Sequence, residues 1–246
     1  MTSLLQAVSQ VREAQAETKK PLAIVVAGHN GSGKSTMWRD ALSEVLQVPL
    51  VNADRMFTSI LPEPDRAGFL KPWADQLRNT DPSWLRVAQQ GVTSFVGHAM
   101  AAKVPFAMET VFSDERTLDN GHVATKIDLV EEMQAADYFV LLFFVGLMSA
   151  DLSVLRVQTR VEAGGHGVPE QTLRDRFPRT QRIIGRAALI ADATIMADNS
   201  REAARAFTVA RVQLKDRQLF DMRAGGKNPP PPISAWLDVV APNFQA

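Results

Sequence analysis

The chain is 246 residues long and carries 27 Lys and Arg against 27 Asp and Glu, so its formal charge at pH 7 is zero with histidine neutral. That balance argues against broad nonspecific nucleic-acid binding, which needs a basic surface. The absence of cysteine excludes disulfides, thiolate chemistry and cysteine-based zinc sites.

The length suits one large α/β domain with a sizeable core. Residues 1–20 carry charges and glutamines in place of an apolar centre, so they do not read as a secretory signal. Thr2 or Ser3 can cap a helix running to about Thr18, with Leu4, Leu5, Val8 and Val11 on one face. Leu22 to Ala27 then reads as a buried strand of apolar, β-branched residues.

Directly after it, Gly28-His29-Asn30-Gly31-Ser32-Gly33-Lys34-Ser35 matches the phosphate-loop pattern G-x-x-x-x-G-K-[ST] at every fixed position. The glycines let successive backbone N–H groups curl around phosphate oxygens at the positive end of a helix beginning near Lys34. Lys34 would reach the outer phosphates of ATP, the Ser35 hydroxyl would ligate Mg2+, and Asn30, Gly31, Ser32, Gly33 and Thr36 complete the expected nucleotide cradle. Such a loop on a chain without a signal, whose longest apolar run (Tyr138 to Met148) is too short to cross a bilayer, points to the cytoplasm and away from membranes.

Four more strands are expected: Val48 to Asn52, Val104 to Glu109, Tyr138 to Val145 and Ala193 to Ala197. The first ends in Asn52-Ala53-Asp54-Arg55 and the second in Glu109-Thr110, at the sheet edge where open α/β folds bind ligands. Leu61 to Pro72 reads as loop or short helix. Asp81-Pro82-Ser83 starts a helix to about Lys103, and Asp119 to Ala136 reads as another. Ser149 caps a helix from about Ala150 to Ala163, Gly164 to Pro169 breaks it, and a further helix runs to about Ala191. Seven arginines between Arg156 and Arg186 lie on this helical pair. Most are read as a solvated face, and one or two as closing over transferring phosphates. Phe207 to Leu214 and Gln218 to Met222 form a hairpin around Lys215-Asp216-Arg217; the prolines at 229 to 232 then lead as a connector to a short helix around Ala235 to Val240.

Alternating strands and helices around the phosphate loop imply an α/β fold of the P-loop NTPase type: a five-stranded, mostly parallel sheet with helices on both faces, plus the C-terminal hairpin and short helix. Residues 1–20 are expected as an N-terminal helix, 21–200 as the kinase core with a helical lid at about 150–190, and 201–246 as a closing part of the same domain. Thr125-Lys126-Ile127-Asp128 imitates a guanine-recognition motif but follows no buried strand, so a GTPase is disfavoured. Asp54 and Glu109 are each able to serve as the carboxylate that a kinase places against an acceptor hydroxyl.

The ordered series of the loop, Asn52-Ala53-Asp54, Met108-Glu109-Thr110-Val111-Phe112-Ser113, Arg156 to Val161, Gly164-Gly165-His166-Gly167-Val168-Pro169-Glu170, Arg174 to Thr180 and Asp198-Asn199-Ser200 resembles the zeta-toxin family of phosphate-loop kinases. The resemblance implies ATP- and magnesium-dependent phosphorylation of UDP-N-acetylglucosamine, and a small antitoxin as possible partner. It assigns Asp54 as catalytic base, Glu109 with Thr110 to the acceptor sugar, and Arg160 and Arg176 to the transferring phosphate. Val111 and Phe112 stand where the family commonly has a hydroxyl and a leucine, which bears on the acceptor. Another metabolite, a nucleic-acid end, or nucleotide binding without turnover are the alternatives. His166 reads as a hinge or packing residue, and His29, His98 and His122 lack metal-ligand spacing.

Overall fold

A computed structural model describes residues 2–80, 82–119, 121, 123–165, 167–215, 217–224 and 229–242, the side chains of 78–80 and 82 excepted. His122, His166 and Asp216 lie outside the described residues, as does Asp81 of the expected helix start.

The first helix, α1 (Leu4–Thr18), opens on a capping box in which the Ser3 hydroxyl accepts from the Gln6 amide and the Gln6 side chain accepts in return. Ala7, Val8 and Val11 are buried against the sheet, while Leu5, expected on the same face, is 52% exposed. Leu4, Val8 and Val11 form the i, i+4, i+7 row, and Leu5 lies one step around the helix from it.

All five expected strands are present and parallel: β1 (Leu22–Gly28), β2 (Leu50–Val51), β3 (Phe106–Thr110), β6 (Phe139–Gly146) and β7 (Ala193–Asp198), in the order β2-β3-β1-β6-β7. The second is only two residues long. The sheet itself has seven strands, not five, because the hairpin β8 (Thr208–Leu214) and β9 (Arg217–Asp221) is no appendage: β8 pairs antiparallel with β7 and extends the sheet. Alternation along β1 makes the three layers. Leu22, Ile24 and Val26 face a core completed by α1 and the helical run after the loop, whereas Ala23, Val25 and Ala27 face the helices of the opposite side.

After β1 the chain forms α2 (Lys34–Met37), a π turn over Trp38–Leu42 and α3 (Ser43–Leu46). Asn52 caps α4 (Ala53–Ser59) by accepting from the Arg55 amide, which sets Asp54 in its first turn. A loop follows, then α5 (Pro72–Thr80) and the long α6 (Pro82–Ala102). The single expected helix over 119–136 is a correction. Glu115–Thr117 (β4) and Val123–Thr125 (β5) pair as a small separate ribbon, and α7 runs only over Lys126–Ala135. Thr125 and Asp128 form its capping box, so these residues start a helix where its middle was expected. The ribbon strand before them is not buried, so the GTPase motif still lacks its context.

The two helices expected as a lid are α8 (Ala150–Glu162), capped by Ser149, and α9 (Glu170–Ala188). Arg174 of α9 ties it to α8 through Asp151 (2.7 Å) and pairs within its own helix with Glu170 (2.9 Å). The last helix, α10 (Pro231–Val240), takes Pro231 and Pro232 into its first turn, where a missing N–H costs nothing, so the proline run is partly helix and not only connector.

Candidate active site

The turn after β1 works only with glycine at its corners. Gly31 and Gly33 have φ of +70° and +89°, and a Cβ on Gly33 would lie 2.6 Å from the Asn199 amide nitrogen. Two side chains from distant elements hold the loop. Asn199 Nδ2 donates to the Ser32 carbonyl (2.8 Å), and Ser153 Oγ of α8 donates to the Asn30 carbonyl (2.7 Å). Sequence reading noted Asp198-Asn199-Ser200 as a polar triplet closing the last parallel strand without giving it a task; Ser153 carried no signal beyond its helix.

Lys34 is buried and bends back over the turn, its ammonium donating to the carbonyls of His29 (2.9 Å) and Gly28 (3.1 Å). Burial pushes its pKa below the ordinary lysine value, Glu109 and Asp54 draw it back up, and Arg160 works against them. Lys34 therefore feels both candidate carboxylates and one candidate arginine. The Ser35 hydroxyl lies 2.8 and 3.0 Å from the two carboxylate oxygens of Glu109, 74 residues away in sequence, because β3 is the parallel neighbour of β1.

These groups open onto one cavity of about 1050 Å³, into which Asp54, Glu109, Thr110, Arg160 and Arg176 also project. Gly28, Ser32 and Gly33 shape the turn beneath it without lining it, and Thr36 is exposed on α2 outside it. Of the remaining lid arginines, Arg174 is engaged in its ion pairs and Arg179 lies 3.6 Å from Glu115. Arg156 is a different case. Its Cβ would be 3.0 Å from a Cβ on Gly31, and burial lowers its pKa while Asp198 raises it, so it backs the loop from the lid side.

The far wall of the cavity is apolar, with Val92, Val96 and Met100 of α6, Met108 of β3 and Leu129 of α7. Val111 and Phe112 line the same cavity. Phe112 is 1% exposed and holds a φ of +67°, a conformation an aromatic residue keeps only where packing fixes it.

A fit to phosphate and magnesium is visible in the protein itself. The turn presents a buried ammonium, and the Ser32 hydroxyl is buried without a hydrogen-bond partner among the described residues. Ser35 offers a hydroxyl lone pair beside a carboxylate, the hard oxygen chemistry magnesium takes. His29 is the unexpected member. It stacks on Phe177 of α9 at 3.9 Å between ring centres, and burial followed by the Lys34 charge lowers its pKa to about 3, so it is neutral and apolar in role.

A sequence model described as Zeta toxin matches residues 6–220. No curated protein matches the chain. Among solved structures, the PezAT chromosomal toxin–antitoxin system of Streptococcus pneumoniae is similar at 13% identity, over 96% of this chain and 89% of that one, with a TM-score of 0.53. The AvrRxo1-ORF1:AvrRxo1-ORF2 complex with sulphate ions is similar at 13% identity, over 98% and 71%, with a TM-score of 0.59. The AvrRxo1-ORF1:-ORF2 complex with ATP gives 13% identity, 98% and 70%, and 0.57. At these identities the structures establish a shared fold.

Proposed function

The chain belongs to the zeta-toxin family, and on that premise we propose that it is a kinase that uses ATP and magnesium to phosphorylate a hydroxyl of a small molecule, a UDP-activated amino sugar of the UDP-N-acetylglucosamine type. The observation that carries this reading is the convergence of Lys34, Ser35, Asp54, Glu109, Arg160 and Arg176 on one cavity. A protein that only bound nucleotide would have no use for two carboxylates facing the phosphate loop. The ATP complex of the AvrRxo1 relative supports the choice of donor.

In this reading the loop amides and Lys34 hold the triphosphate, and Asp54 orients the acceptor hydroxyl. As the hydroxyl oxygen bonds to the γ-phosphorus, its proton passes to the Asp54 carboxylate and the bond from the γ-phosphorus to the bridging oxygen breaks, leaving ADP. Lys34, Arg160 and Arg176 offset the charge that spreads over the transferring group. Magnesium, when bound with the nucleotide, neutralises phosphate charge; Ser35 would hold it while still donating its proton to Glu109. Glu109 then has a second task besides orienting the acceptor with Thr110. A cytoplasmic setting and an antitoxin partner belong to the same reading, the latter supported by the toxin–antitoxin system among the similar structures.

The test is transfer from labelled ATP to UDP-N-acetylglucosamine, with free sugars, other UDP-sugars and oligonucleotides alongside. Asp54→Asn is expected to lower turnover by about 10²–10⁴-fold with ATP affinity unchanged, because the lost carboxylate acts on the acceptor. Lys34→Ala is expected to weaken ATP use with every acceptor. An active Asp54→Asn enzyme would place the base elsewhere, and a wild-type protein that transfers phosphate to none of these acceptors would overturn the proposal.

A further inference from the structure

Helix α9 is held by two different parts of the molecule. Its second half carries Ile183, Ile184, Ala187 and Ala188 into the core shared with α6, α7 and α10. Its first half sends Leu173 into a small cluster of its own with Val154 and Val157 of α8. Pro178 stands between the halves. It has no amide to give the Arg174 carbonyl, so the helical ladder is weakest at that point. Arg176, the cavity arginine of this helix, lies just before the break, on the half that the large core does not hold.

The direction of Arg176 is set by its backbone, because its guanidinium makes no ion pair or hydrogen bond among the described residues. The next residue, Phe177, joins none of the apolar clusters. Its ring lies flat on that of His29 in the phosphate loop, at 3.9 Å between centres and 14° from parallel. His29 in turn meets Phe144 of β6 edge-on, and Phe144 is fully buried in the central sheet. A column of three rings thus runs from the sheet, through the loop, to α9. The His29 carbonyl also accepts from the Lys34 ammonium (2.9 Å), so one loop residue is joined by its backbone to Lys34 and by its ring to the neighbour of Arg176. Neither His29 nor Phe177 lines the cavity itself.

We propose that His29 and Phe177 are a positioning pair, whose stacked rings fix the first half of α9 against the phosphate loop and so set Arg176 over the phosphate that is transferred. This rests on the kinase reading above and adds to it a dependence of turnover on two rings that touch neither nucleotide nor acceptor. A guanidinium displaced by about 1 Å where transition-state charge develops loses up to about a hundredfold in rate.

The test uses the full chain and reads binding and turnover separately. ADP with magnesium is titrated calorimetrically, with and without aluminium fluoride, which mimics the transferring phosphoryl group. Phe177→Ala should leave the affinity for ADP alone unchanged, because Asn199 and Ser153 still fasten the loop, and should weaken the aluminium fluoride complex about tenfold. Phe177→Leu, which fills the space without a ring face, should lose as much, and Phe177→Tyr, which keeps the ring, should retain the complex. In an Arg176→Ala background, Phe177→Ala should change the complex by less than about twofold, since the group it positions is gone. In turnover with UDP-N-acetylglucosamine, Phe177→Ala should lower kcat about tenfold and leave the KM for ATP alone. The same loss with and without Arg176, an unaltered complex in both Phe177→Ala and Phe177→Leu, or no aluminium fluoride complex in the wild type would overturn the positioning role. An Arg176-dependent effect of Phe177 on that complex, with no phosphate transferred to any acceptor, would leave the pair in place and overturn the kinase reading instead.

Discussion

His29 offers a sharp quantitative test of the site's packing. Its ring is 2% exposed, stacked on Phe177 with an interplanar angle of 14° and set edge-on to Phe144 at 5.7 Å, and neither ring nitrogen has a hydrogen-bond partner among the described residues. Burial, and then the charge of Lys34, lowers its pKa from 6.5 to about 3. In the unfolded chain the imidazole takes up a proton as pH falls through 6.5; in the folded protein it stays neutral until about 3. Between those limits the unfolded state holds one more proton, so stability falls with acidity at about 1.4 kcal/mol per pH unit. From pH 7 to pH 5 this single side chain accounts for about 2 kcal/mol. His29→Phe keeps a ring on Phe177 and removes the titration. Urea unfolding of both proteins at pH 7 and pH 5 should show the wild type losing about 2 kcal/mol more than the variant, since every other titrating group is common to both. At pH 7 the variant should be no less stable, as it no longer buries two unpaired nitrogens. Equal losses in the two proteins, or a His29 imidazole that titrates near 6.5 by NMR, would refute the reasoning.

Two further substitutions probe parts of the molecule the site depends on. Asp221, at the end of β9, receives Arg211 (2.6 Å) and Arg223 (2.7 Å) on one carboxylate oxygen, and although burial alone would raise its pKa, the hydrogen bonds from Arg223 and Arg211 hold it below the usual value. Asp221→Asn leaves the buried Arg211 guanidinium without its counter-charge, while Arg223 keeps Asp238 at 2.6 Å, and should cost about 3 kcal/mol in thermal or urea unfolding; a loss under about 1 kcal/mol would mean the network is hydrated when folded. Gly165, at the corner between the lid helices, has no room for a side chain: a Cβ there would lie 2.6 Å from Arg160 Cγ and 2.8 Å from the Arg160 carbonyl. Gly165→Ala should displace the backbone and side chain of Arg160, lowering the melting temperature and reducing turnover about tenfold or more, and normal turnover would remove Arg160 from the phosphate-neutralising group.

Much of the site was written in local sequence. The phosphate loop is legible because its glycines answer a backbone demand, positive φ and close approach, that few other residues meet. Asp54 and Glu109 are legible because each ends an apolar strand run, and parallel strands place such ends on one edge. The β4–β5 ribbon was not, because its short, exposed strands carry little hydrophobic pattern, and the capping pair of the helix that follows, Thr125 and Asp128, reads equally well as the interior of a helix until the cap is seen.

The sequence by itself determined the five parallel strands, the turn at Gly28 to Ser35 and the identity of the charged groups, since hydrophobic periodicity, glycine and strand ends are properties of neighbouring residues. Only the tertiary structure decided that the C-terminal hairpin pairs with β7, that Asn199 and Ser153 fasten the loop and that Ser35 meets Glu109. Each of these joins residues far apart along the chain. Their meeting depends on sheet order and helix packing, which a one-dimensional pattern constrains but does not fix.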